Sequence, residues 1–174
     1  EGGYFVGQAQ TGTGKTAAFG LPILQRINPE KAKIQALIIA PTRELGQQIA
    51  KHLFKYTKYL SKKVFVESVY GGEHIAKQMD RLKRPTQVVV ATPGRLMDLV
   101  NRKALDLSEV NTVVLDEADE MLSMGFLPDI EKILTYPKNT INLWMFSATI
   151  PKEIKEIITN YMDAEHESVR VDKQ

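Results

Sequence analysis

Two segments of this 174-residue chain have residue types and spacing suited to phosphoryl chemistry. The first is Ala9, Gln10, Thr11, Gly12, Thr13, Gly14, Lys15, Thr16, which follows the apolar run Tyr4, Phe5, Val6 and opens the helix-forming Thr16, Ala17, Ala18, Phe19. Glycines let the backbone wrap with its amides pointing inward. A helix N-terminus adds about half a positive charge, and Lys15 adds a point charge for terminal phosphates. The Thr16 hydroxyl can hold magnesium. The strict phosphate-loop pattern has glycine where this chain has Ala9, so the strand–loop–helix context carries the assignment. The second segment is Asp116, Glu117, Ala118, Asp119, after the apolar Thr112, Val113, Val114, Leu115. Asp116 at a strand tip would organise magnesium through its water shell. Glu117 is placed to orient or deprotonate a water attacking a terminal phosphate, and Asp119 to anchor a neighbour. Alone, an acidic turn after a strand reads equally well as a solvated helix start; the phosphate loop shifts that balance.

Positioning both segments requires strands that end on one rim. Short β-rich runs occur at 36–40, 64–69, 87–91, 112–115 and 141–146, separated by helical patterns such as Leu45, Ile49, Leu53, Tyr56, Leu60, then Ile75, Met79, Leu82, then Ile154, Ile157, Ile158, Tyr161. Near-continuous apolar strands between amphipathic helices are what a sheet buried on both faces needs. The pattern predicts an open, doubly wound α/β domain with a mostly parallel sheet, helices on both faces, and ligands at strand C-terminal ends. One domain over 1–174 is expected, with a polar tail from Asp163 that frays.

These residues resemble the DEAD-box ATP-dependent RNA helicases. The resemblance rests on the phosphate loop, the Asp-Glu-Ala-Asp tetrad at 116–119, and Ser147, Ala148, Thr149 after a strand. It extends to Pro41, Thr42, Arg43, Glu44, Leu45, to Gly71, Gly72, and to Thr92, Pro93, Gly94, Arg95, and so runs nearly end to end. It implies an N-terminal RecA-like lobe that binds ATP and magnesium and grips single-stranded or duplex RNA. In that lobe Ser147 and Thr149 couple nucleotide state to RNA, partly through Asp119. It also implies an adenine-recognition element upstream of the phosphate loop, a second RecA-like domain of the same protein that supplies arginine fingers, and protein recruiters or activators. Only eight residues precede Ala9, so both the upstream element and the second domain are expected outside this sequence, and the lobe by itself is expected to have little activity. An unwinding enzyme and an ATP-gated RNA clamp would carry the same motifs. A DNA translocase of the wider superfamily is disfavoured by the tetrad and the Pro-Thr-Arg-Glu-Leu segment.

The chemistry of the residues agrees with what the resemblance implies for these loops. Pro41, Thr42, Arg43, then Gly71, Gly72, then Thr92, Pro93, Gly94, Arg95 each follow a strand, so they share a rim. Arginines, small hydroxyls and glycines are chemistry for a sugar-phosphate chain. No aromatic is interleaved with the basic residues of these loops, so sequence-independent backbone binding is expected rather than base stacking. Each loop alone reads as turn and capping chemistry; their co-occurrence decides.

Elsewhere the plainer reading holds. Lysines at 51, 55, 58, 62 and 63 read as a solvated helix face, His52, His74 and His166 lack metal-ligand spacing, and Trp144, Met145, Phe146 read as core. The chain has no cysteine, which excludes disulfides and thiolate metal sites, and a net charge of +2, too little to indicate a nucleic-acid partner by itself. A hydrophobic share of 43% with 25% charged residues is the mix of a soluble globular domain, with no apolar stretch near the roughly 20 residues a membrane span needs. A cytoplasmic setting is expected, or a nuclear one in a eukaryote.

Overall fold

The computed structural model describes residues 5–8, 14–139, 141–161 and 167–170. Among these, seven strands form one sheet: β1 (Phe5–Gln8), β2 (Ala36–Ile39), β3 (Val66–Val69), β4 (Val88–Ala91), β5 (Thr112–Leu115), β6 (Asn142–Ser147) and β7 (Glu167–Arg170). Their order is β3-β4-β2-β5-β6-β1-β7, and every neighbouring pair is parallel. The expected doubly wound α/β architecture is therefore present, with all strand C-termini on one rim.

The central strands split residue by residue between two cores, as a period of two demands. Ala36 and Ile38 of β2 face one helical layer with Val88, Val90 and Val114; Leu37 and Ile39 face the other with Val89, Ala91, Val113 and Leu115. The first layer holds α1 (Lys15–Arg26) and α2 (Arg43–Thr57), which insert Phe19, Ile23, Ile49 and Leu53. The second holds α3 (Ile75–Arg81), α4 (Pro93–Asn101), α5 (Ala118–Ser123), α6 (Leu127–Ile133) and α7 (Lys152–Tyr161). α1 and α2 pack closely because α1 has Gly20 at the contact: a Cβ there would lie 2.7 Å from Leu53 Cδ2.

Met145 and Phe146 are buried as expected, whereas Trp144 is half-buried with the Arg26 guanidinium 5.7 Å from its ring centroid. The tail read as fraying from Asp163 instead contributes β7, paired along β1 from Phe5↔Glu167 to Gln8↔Arg170. An otherwise open edge of β1 supplies hydrogen-bonding partners that a weak local strand pattern does not announce. None of the described helices is long and apolar enough to cross a membrane.

Candidate nucleotide and nucleic-acid site

Of the phosphate loop, Ala9, Gln10, Thr11, Gly12 and Thr13 lie outside the described residues. Gly14 caps α1 in a left-handed conformation, φ 101°, that a side chain would strain. The first turn of α1 contains no acidic residue, so its amides and dipole stay available to an anion. Lys15 Nζ lies 2.6 Å from Asp116 Oδ1 and 5.7 Å from the Phe146 ring centroid. Asp116 is held at the tip of β5 by its own N–H, which donates to the Ile39 carbonyl at 2.9 Å. Its Oδ1 is sealed from solvent and accepts no hydrogen bond; the contact with Lys15 is an ion pair without hydrogen-bond alignment. A buried carboxylate oxygen with spare acceptor capacity, beside an ammonium group in a cleft that Thr16 also lines, fits a site completed by magnesium. Such an ion needs only one or two protein oxygens when phosphates supply others.

Glu117 has φ 52°, a left-handed conformation unusual for a non-glycine residue, of the kind concentrated at functional sites. Burial raises its carboxyl above the ordinary range, and the adjacent Asp116 raises it further, against the pull of Lys15. Gly14, Lys15, Thr16, Asp116 and Glu117 line a cleft of about 810 Å³ whose opposite wall is α2.

The third carboxylate makes a closed hydrogen-bond ring. Thr149 donates to Asp119 Oδ2 from its N–H at 3.1 Å and from its hydroxyl at 3.0 Å. The Asp119 N–H donates to Ser147 Oγ at 3.2 Å, and the Ser147 hydroxyl donates to the Thr149 carbonyl at 2.5 Å. Burial opposes ionisation of Asp119, but the bonds from Thr149 and Ser147 outweigh it and hold its carboxyl below the usual value.

The rim loops also converge, with divided duties. Thr42 caps α2, its Oγ1 accepting from the Leu45 N–H at 3.2 Å, and leaves Arg43 exposed. Gly71 and Gly72 are exposed, and a Cβ on Gly72 would meet Arg43 Nη1 at 3.0 Å, so the two loops abut. Pro41 and Pro93 are buried and serve the scaffold; Thr92 and Gly94 reach the surface. Arg95 Nη1 is already committed, donating to the Glu73 carbonyl at 2.9 Å and to Gln78 Oε1 at 3.1 Å.

Sequence reasoning missed the residues that hold these loops. Gln78, fully buried, donates from Nε2 to the Tyr70 carbonyl and to Glu73 Oε2, both at 2.8 Å, while its Oε1 receives Arg95. Arg81 makes a two-pronged bond to Glu73, 2.9 Å on each oxygen, and reaches Glu67 at 3.2 Å. Those bonds, Arg81 first and then Gln78, lower the Glu73 carboxyl to about 2. Tyr70 puts an aromatic ring beside the doublet after all, with Arg43 Cζ 5.0 Å from its centroid and its hydroxyl accepting from Gln47. A glutamine on the inward face of a short helix, in a pattern otherwise apolar, was the available signal for this network.

The family model described as DEAD/DEAH box helicase matches residues 1–157. The chain belongs to the DEAD/DEAH box helicase family. Among curated relatives, this DEAD/DEAH box chain is 57% identical over 165 residues to the DEAD-box ATP-dependent RNA helicase CshA of Streptococcus pneumoniae, covering 94% of the chain and 31% of that protein. It is 50% identical to CshA of Bacillus subtilis, covering 95% of the chain and 33% of the relative. Among solved structures, a DEAD box protein from the hyperthermophile Methanococcus jannaschii superposes with a TM-score of 0.89 at 39% identity, over 98% of this chain and 46% of that one. The yeast DEAD-box splicing factor Prp28 gives 0.85 at 38% identity, over 91% and 39%. The RecA-like fold is thus shared, and the DEAD/DEAH box chain spans about a third of the length of these curated relatives.

Proposed function

We propose that this chain is the nucleotide-binding lobe of an ATP-dependent RNA helicase, hydrolysing ATP in response to RNA and gripping the RNA sugar-phosphate backbone without regard to sequence. The reading is carried by one juxtaposition: the Lys15–Asp116 pair at 2.6 Å and the Asp119–Thr149–Ser147 ring are joined through the single turn 116–119. A nucleotide phosphate entering beside Lys15 would compete for the ammonium group and disturb Asp116, which is continuous with the turn that holds Thr149.

In this reading Gly14, the α1 amides and Lys15 bind the phosphates of ATP, and Thr16 and Asp116 hold magnesium, which would neutralise charge developing on the phosphoryl oxygens. Glu117 orients the attacking water and takes its proton as the oxygen bonds to the γ-phosphorus and the bond to the leaving ADP breaks. Its raised carboxyl makes it a better proton acceptor than an ordinary glutamate. Arg43, the Gly71–Gly72 doublet, Thr42, Thr92 and Gly94 face the RNA backbone, with Arg95 positioning that surface. A second RecA-like lobe of the same protein closes over both ligands, each favouring the closed state and so tightening the other. Bending of the gripped strand then separates short duplexes locally.

The test is steady-state ATP hydrolysis with magnesium, with and without single-stranded RNA, for this lobe and for a form joined to a second lobe. Arginine fingers typically contribute about 10³- to 10⁵-fold in rate, so the single lobe should be slow and the joined form RNA-stimulated, with Glu117→Gln abolishing turnover. Absence of RNA stimulation in the joined form would leave only a phosphate-binding scaffold.

A further inference from the structure

The positive charge of this molecule is concentrated in one place. Residues 51–63 contain five of its 23 lysines and arginines and none of its 21 acidic residues. The rest of the chain, with 18 basic against 21 acidic side chains, is net negative although the whole carries +2. Lys62 pairs with Glu30, but Lys51, Lys55, Lys58 and Lys63 have no carboxylate partner among the described residues.

At about 100° per residue, Arg43, Glu44, Gln47, Lys51, Phe54, Lys55 and Lys58 fall on one side of α2, opposite the buried Ile49 and Leu53, and Glu44 in the first turn is its one acidic member. The stripe therefore starts at the arginine of the RNA-facing rim and runs down the helix. Aromatic rings stand among its cations. Phe54 is 61% exposed and Tyr59, in the turn after α2, is 83% exposed. Lys58 Nζ lies 5.8 Å from the Phe54 ring centroid, and Lys63 Nζ 4.8 Å from that of Phe65. Among the described residues Phe54 and Tyr59 are the two most exposed large hydrophobic side chains. Cations tracking phosphates with exposed rings between them are the recurring design of single-strand binding surfaces.

We infer that the outer face of α2 and the turn after it form a second contact for single-stranded RNA, in which Lys55, Lys58 and Lys63 pair with phosphates and Phe54 and Tyr59 stack on unpaired bases. The surface extends the proposed rim grip and rests on that reading. It gives the strand a way off the rim and adds exposed rings, whereas Tyr70 at the rim already carries Arg43 over its ring. Lys51 also borders the nucleotide cleft and so is left out of the test.

The experiment measures binding of a fluorescent 20-nucleotide oligouridylate to this chain across 50–200 mM salt. Replacing Lys55, Lys58 and Lys63 together with Gln should weaken binding about tenfold at the lower salt and reduce the salt slope by about 2, since each single-strand phosphate contact contributes roughly 0.7. The same positions changed to Arg should keep the slope. Phe54→Ser with Tyr59→Ser should weaken binding about tenfold with the slope unchanged. Unaltered thermal unfolding would show that the variants fold. Arg43→Ala separates the two readings. If it abolishes binding while the α2 variants bind like the parent, the inference is overturned and the rim stands; if the α2 variants lose binding and Arg43→Ala does not, the inference stands and the rim reading fails. Loss of binding to polyglutamate or to phosphatidylserine vesicles, with RNA binding intact, would also overturn it.

Discussion

Thr149 gives both its backbone N–H and its hydroxyl to a single oxygen of Asp119, 30 residues earlier in the chain. That doubled contact, closed by Ser147, ties the loop after β6 to the turn after β5.

Removing half of the contact should therefore decouple rather than destroy. Thr149→Ala deletes the hydroxyl bond at an exposed position, which should cost about 0.5–1 kcal/mol of stability. In the two-lobe protein, ATP binding should persist while RNA unwinding falls more than RNA-stimulated hydrolysis. Parallel measurement of both rates decides it; an equal fall in the two would sink the coupling role.

Glu117 is held against its own chemistry. Because its carboxyl is raised in the folded state by burial and by Asp116, the neutral form is the stabilising one, and that contribution disappears as pH rises through the raised value. Glu117→Gln should thus unfold at a temperature equal to or higher than the parent at pH 7, with the advantage shrinking in acid, even as hydrolysis is lost. Thermal melts at pH 4 and pH 7 give the comparison, and a variant less stable at pH 7 would contradict it.

The opposite sign applies to Glu73, lowered to about 2 chiefly by Arg81 and Gln78. Its ion pair stabilises the fold fully above the ordinary value of 4.5, and that stability is lost as pH falls from there towards about 2. The pair is partly solvent-screened, so Glu73→Gln should cost about 1 kcal/mol at pH 7 and flatten acid unfolding across that window. Gln78→Ala strands Arg95 and the Tyr70 carbonyl, and should cost more, about 2 kcal/mol, because Gln78 is fully buried.

The two adjacent glycines should behave differently. Gly72 has φ 86° and would put a Cβ 3.0 Å from Arg43 Nη1, whereas a Cβ on Gly71 meets nothing within 4 Å. Gly72→Ala is expected to cost about 1 kcal/mol or more in backbone strain and to weaken RNA binding by displacing Arg43. Gly71→Ala should be near neutral in stability, as a side-by-side melt would show.

Much of the fold could be read directly. The β2, β4 and β5 runs are buried on both faces, so nearly every residue is apolar, and the helices between them keep a 3.6-residue period; together these leave few alternatives to a doubly wound sheet. The β7 strand could not be read, because its partner edge is created by β1 and only then favours pairing. The two candidate phosphoryl-chemistry segments were legible because their glycines, lysine and carboxylates fall within a few residues of one another.

What sequence alone determined, then, is the residue chemistry of each loop: which turn carries glycines and a lysine, which carries carboxylates, which carries arginine. What tertiary structure decided is which of these groups remain available. Arg95 and Arg43 look alike in sequence, yet a buried glutamine from α3 commits the first to the Glu73 loop while a helix cap leaves the second exposed. Likewise the lysines of α2 acquire meaning only from the exposure of Phe54 and Tyr59 beside them. Local residue type sets what a side chain can bind. Its freedom to do so depends on hydrogen-bond partners contributed from distant parts of the chain, and only folding brings those together.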